Sequence, residues 1–239
     1  MLFPILLASG LVASTNASPI SNADLVSRAP KKVGRTDIYI GATAVMTGDQ
    51  DPYWTYHQAY DLCGKSGCNE GGANKQYKVK APISGGLNMQ AGEGTITVSA
   101  EGAYSNVDQW DWKERNGLIE ALSNAAKAAA KEKKVLIQHG PGCSAKQEFC
   151  NKEPKMTENT YWEAPSWMKA VILDEDGNHM GDMEISVDFK AERWDPLGIF
   201  SCDNAVGAVM TAMDAFERTS PYGAALGFIG DIVCKATSG

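Results

Sequence analysis

The residues best suited to chemistry in this chain are carboxylates that sit close to tryptophans. Asp108, Asp111, Glu114, Glu163, Asp188 and Glu192 lie near Trp110, Trp112, Trp162, Trp167 and Trp194 in the sequence. Two carboxylates facing one another across a sugar do the acid and base work of glycoside hydrolysis, and indole faces supply a stacking platform. No spacing selects two of these six, so the catalytic residues of such a hydrolase stay unassigned. A thiol nucleophile is the other candidate. His139 precedes Cys143 in Gln138-His139-Gly140-Pro141-Gly142-Cys143, and a neighbouring imidazole can activate a thiol. Cys150 follows seven residues later, and a small local disulfide loop is the simpler use of both cysteines. No Gly-x-Ser-x-Gly elbow occurs, which leaves an esterase of that fold without support.

Metal and phosphate sites find equally little. The histidines are His57, His139 and His179, with no His-Glu-x-x-His helix. The run Asp174-Glu175-Asp176-Gly177-Asn178-His179 looks like the start of a calcium loop. The sixth place needs Gly and the twelfth Glu, but they hold His179 and Ile185. Asp, Gly and Asn are ordinary residues of a hairpin turn. Gly64-Lys65-Ser66-Gly67 lacks the earlier glycine of a phosphate loop. No metal and no cofactor is expected.

Cysteine count and leader both speak to compartment. Cys63, Cys68, Cys143, Cys150, Cys202 and Cys234 make an even set, which allows 15 connectivities. Sequential pairing is expected: a tight Cys63–Cys68 loop, a local Cys143–Cys150 loop and a Cys202–Cys234 clasp. Met1 to Ala13 is uncharged and apolar and runs into Ser14-Thr15-Asn16-Ala17. It reads as a signal peptide, residues 1–17, too short to cross a bilayer core of about 30 Å and cut after Ala17. The polar stretch 18–28 reads as a pro-segment ending in Leu25-Val26-Ser27-Arg28, with Lys31-Lys32 as a weaker dibasic alternative. The single sequon, Asn16-Ala17-Ser18, straddles the leader cut. Residues 29–239 are expected to form one secreted domain. No apolar run is long enough to span a membrane. The formal charge of −7 disfavours nucleic acid and anionic membrane as partners.

The elements that must position these residues are mixed. Residues 36–45, 76–83 and 94–101 carry β-branched and aromatic side chains in partial alternation. Lys113 to Lys133 has an apolar helical face through Leu118, Ile119, Leu122, Ala125 and Ala129. Lysines Lys127, Lys131, Lys133 and Lys134 suit its C-terminal dipole. Residues 135–138 follow as a buried strand. Residues 167–173 and 183–189 flank an Asp-Gly turn and read as a hairpin. Helices are expected at 203–217 and 222–233, broken at Ser220-Pro221. The class is α+β: an antiparallel or mixed β-sheet with helices packed on one face, stapled by disulfides.

In gross plan, with its leader, its Leu25-Val26-Ser27-Arg28 site and its cysteine-stapled acidic body, the chain resembles fungal secreted effectors or toxins trimmed by Kex2-type proteases. That resemblance, to a class of proteins, implies extracellular action by binding a host or competitor protein, or a surface glycan. It assigns no active residue. A secreted polysaccharide hydrolase and a structural cell-wall or surface protein are the alternatives.

Overall fold

Alternation of β-branched and small polar residues builds the centre of the molecule. The computed structural model describes residues 33–65, 67–68, 74–84, 88–104, 112–139, 155–192 and 197–235. These fall within one compact unit, Lys32–Gly239. In β5 (Met89–Ala103), Ile96, Val98 and Ala100 are buried while Thr95, Thr97 and Ser99 are half-exposed. β9 (His179–Ala191) answers it antiparallel, setting Phe189, Val187 and Ile185 opposite those three residues. One face of this pair therefore carries the core.

A long bent ribbon lies beside that centre. β1 (Val33–Gly41) and β2 (Ala44–Gly48) run antiparallel along β8 (Trp167–Asp174) and β7 (Lys155–Pro165), respectively. Ser166 donates its backbone N–H to Thr43 at the bend. β9 pairs with the β8 half of the ribbon, and β6 (Lys131–His139) pairs with the β7 half. β5 joins β9 antiparallel and meets β6 in parallel at Met89 and Gln90. β4 (Asn74–Ser84) and the short β3 (Gly67–Cys68) also pair with β5. β10 (Phe228–Lys235) adds a parallel strand to β1.

The sheet curls until distant strands touch. Asp49, just past β2, donates its N–H to the Lys80 carbonyl at 3.0 Å, and its carboxylate accepts the Lys80 N–H at 3.0 Å. β2 and β4 stand far apart in strand order, so these bonds draw the sheet round on itself. Gly48 makes the approach possible: φ is +68°, and a Cβ there would lie 2.5 Å from the Lys80 oxygen.

The helices are α1 (Pro52–His57), α2 (Lys113–Ala129), α3 (Cys202–Thr219) and the single turn α4 (Gly223–Leu226). In α2, Leu118, Ile119, Ala121, Leu122, Ala125, Ala126 and Ala129 are fully buried. It packs against α1 and α3 and reaches β7, β8 and β9. None of the described helices is long and apolar enough to cross a membrane.

The result is a mixed β-sheet with helices and two disulfides, Cys63–Cys68 and Cys202–Cys234, among the described residues. Three sequence expectations need correction. α2 stops at Ala129, and Lys131, Lys133 and Lys134 belong to β6, because Ala130 is already extended at ψ 155°. The strand expected over 36–45 is divided by the bend at Ala42 and Thr43. The expected helix 222–233 is α4 followed by β10. There the free edge of β1 offers backbone partners to Ile229, Ile232 and Val233, whose β-branched side chains suit a strand. Cys202–Cys234 consequently ties the first residue of α3 to a strand rather than joining two helix ends.

Candidate functional site

α1 begins with a defined cap. The Asp51 carboxylate accepts the Tyr53 N–H at 2.9 Å, and Pro52 fills the first helical position, where a missing N–H costs nothing. The chain continues through a 3-10 turn, Gln58–Asp61. Trp54, His57 and Tyr60 are therefore spaced three apart along continuous helical backbone, which puts their rings on one side.

Those rings stack. The Trp54 and His57 centroids are 5.3 Å apart, and those of His57 and Tyr60 are 4.5 Å apart. Arg115, in the first turn of α2, lays its guanidinium 4.8 Å from the Tyr60 centroid and 4.6 Å from that of Trp112. A row results, in the order Trp54, His57, Tyr60, Arg115, Trp112. Its two ends are open, with Trp54 53% and Trp112 43% exposed. Tyr53 meets Trp54 edge-on at 4.9 Å.

Glu120 holds the row from α2. One oxygen accepts the Tyr53 hydroxyl at 2.8 Å; the other accepts the Tyr60 hydroxyl at 3.1 Å and lies 3.4 Å from His57 Nε2. A Lys127–Asp51 ion pair at 2.8 Å is a second tie between the helices. Burial, then the bond to Glu120 and its charge, pushes the Tyr53 hydroxyl up to about 12. Burial and the Glu120 charge also push Tyr60 upward, with the Arg115 charge opposing. Both hydroxyls thus remain protonated donors at neutral pH.

Trp112 is held under strain. Its φ of +63° is the single left-handed non-glycine conformation among the described residues, and such backbone costs about 1 to 2 kcal/mol. The strained residue is the one whose indole closes the row over Arg115.

The sequence candidates fare differently. Glu163 is 1% exposed, and its carboxylate accepts the N–H groups of Gly198 at 3.0 Å, Ile199 at 3.0 Å and Phe200 at 3.2 Å. That is a structural use. Glu114 is buried in the first turn of α2, Asp188 lies 3.6 Å from Lys190 on β9, and Glu192 is exposed beyond it. These carboxylates sit on separate elements and form no pair around a groove. Trp162 and Trp167 are half-buried in the ribbon. Asp108, Asp111, Trp110 and Trp194 lie outside the described residues, as do Cys143, Cys150 and the processing positions Ala17, Leu25 and Arg28.

His139 Nε2 lies 2.5 Å from Thr157 Oγ1. His179 sits 3.8 Å from Asp182, which also pairs with Lys169. Asp174 uses its carboxylate to bind the N–H groups of Asp176 at 3.0 Å and Asn178 at 2.7 Å, so the calcium-like run is a hairpin turn. The Cys63–Cys68 loop is closed further by Gly64 donating to the Gly67 carbonyl at 2.7 Å.

Trp54, His57, Tyr60, Arg115 and Glu120 were not among the expected carboxylate–tryptophan candidates. The three-residue aromatic spacing after Pro52 is visible in the sequence; the meeting with α2 is not. Chemically, the row offers flat apolar faces, one guanidinium and a carboxylate already engaged by its neighbours. Compared with protein-family models, with curated proteins and with solved structures, the chain matches none.

Proposed function

We propose that the protein is an effector-type binding protein that acts outside the cell, taking a surface glycan of a host or competitor on its aromatic row. In this view the helices lie on one face of the sheet and present the row to solvent. One observation carries it: two indoles are exposed at the ends of a row of contacting rings, one of them held there by strained backbone. Tyr and Trp pair an apolar body with a polar tip and are enriched at interfaces, and sugar rings present C–H faces that stack on indole. The disulfides suit an oxidising compartment, and the leader expected over 1–17 supplies a route to it. The acidic balance disfavours a nucleic-acid or anionic-membrane target.

Affinity electrophoresis through gels carrying plant, fungal or bacterial wall polysaccharides tests this. At least one polysaccharide should retard the wild-type protein, and Trp54→Ala should lose most of the retardation while keeping its circular dichroism spectrum. Unretarded migration on every polysaccharide would refute it.

A further inference from the structure

We propose that the glycan is acidic, an oligosaccharide carrying a uronate carboxylate among neutral rings, and that Arg115 is the residue that recognises this carboxylate. The inference rests on the glycan reading and makes it more specific.

Arg115 is anomalous among the described arginines. Arg35 pairs with Asp37 at 3.3 Å, and Arg218 with Asp214 at 3.1 Å. Arg115 has no carboxylate within ion-pair distance among the described residues, although the chain carries 29 acidic side chains against 22 lysines and arginines. Its bonds go to neutral acceptors: Nη2 donates to the Tyr60 carbonyl at 2.7 Å and Nη1 to Asn116 Oδ1 at 3.4 Å. Nε is buried and has no partner. Nη1 and Nη2 carry four of the five N–H donors of a guanidinium, and the bonds to Tyr60 and Asn116 use two of them, so two remain on a cation that lies over the Tyr60 and Trp112 rings. Contact with the two rings restricts the side chain, and a planar fork matches a carboxylate edge to edge.

The ligand class follows from what flanks this cation. The exposed indole of Trp112 beside Arg115, and that of Trp54 at the far end of the row, offer faces for neutral rings, and the Glu120 carboxylate is engaged by Tyr53, Tyr60 and His57. The row therefore suits one anionic group between stackable rings. A polyanion would set many charges against a single permanent cation on an acidic protein.

The test uses the whole chain and two oligosaccharides of the same length and linkage, one with a terminal uronate and one with that uronate as its methyl ester. Isothermal titration of the wild type should show the acid binding about tenfold more tightly than the ester, the size expected for one charge-assisted contact. Arg115→Lys keeps the charge without the planar fork and should erase most of that preference. The acid–ester comparison on the wild type needs no variant, so a folding failure of Arg115→Lys leaves the test intact. Equal binding of acid and ester, lost in Trp54→Ala, would overturn the role of Arg115 while the glycan reading stands. Binding of neither would overturn both. Tighter binding of a single-stranded oligothymidine would overturn the inference in favour of a stacked polyanion.

Discussion

Two buried or half-buried glutamates hold helices in place here, and they do so in opposite ways. Glu163, on β7, binds three consecutive backbone N–H groups of residues 198–200, immediately before α3. Two residues later the Cys202–Cys234 bridge fixes the start of that helix to β10. Glu120, on α2, binds side chains only, those of Tyr53, Tyr60 and His57. The neighbouring bridge, Cys63–Cys68, closes a short loop at the end of the same aromatic segment. A carboxylate buried against three backbone amides holds the chain in place. One committed to side chains at a surface sets the orientation of the rings a partner would meet. Partner type and exposure together, more than burial alone, separate an anchor from a site.

The largest contrast expected between the two regions is in their disulfides. Loop entropy grows with the number of residues enclosed, and the bridges span 32 and 5 residues. Cys202→Ala should therefore cost about 4 kcal/mol and Cys63→Ala about 2 kcal/mol. For a body of this size each kcal/mol lowers the melting temperature by about 2–4 °C. Equal melting temperatures in differential scanning calorimetry would break the contrast.

The glutamates should differ next. Glu163→Ala leaves buried N–H groups without an acceptor and should cost about 3 kcal/mol in urea unfolding, with glycan binding unchanged in the fraction that stays folded. Glu120→Gln should cost about 1 kcal/mol or less, yet weaken binding several-fold by loosening Tyr53 and Tyr60. If Glu120→Gln proved the more destabilising, the assignment of anchor and site would have to be exchanged.

Smaller still is the effect of cutting back the row itself. Trp54→Ala removes an exposed side chain and should change stability by within about 0.5 kcal/mol. Its effect belongs in the binding assay. A loss of several kcal/mol would mean the row is part of the core.

The subtlest test is alkaline titration. Tyr53 is held up to about 12 by burial and by Glu120, above the 10.0 of an unperturbed tyrosine. A raised value means its stabilising contribution is complete below pH 10 and fades as pH climbs through about 12. Ultraviolet titration of phenolate absorbance should place Tyr53 among the late-titrating tyrosines, and Glu120→Gln should bring it earlier. Tyr77 and Tyr104, also near 12 through burial, should not move. An unchanged Tyr53 midpoint in Glu120→Gln would mean that the carboxylate does not grip the row.

Local pattern in the sequence was enough for several elements. The apolar face of 113–129, the alternation of 94–101 and the Asp-Gly turn between β8 and β9 reflect interactions within a few residues, so they are legible without the fold. The close Cys63–Cys68 pair is legible for the same reason. Residues 228–235 were not, because a mixed run of Ile, Val and Gly follows whichever backbone partner is available, and β1, nearly 200 positions earlier, supplies it. Tertiary structure alone also decided which acidic and aromatic residues matter. Glu163 was a candidate in the sequence until three distant amides claimed it, while Glu120 and Trp54 stood out only once the fold brought α1 and α2 together and left Trp54 in solvent. Spacing along the chain fixes which side chains share a face; only packing between elements separated by dozens of residues fixes what that face meets.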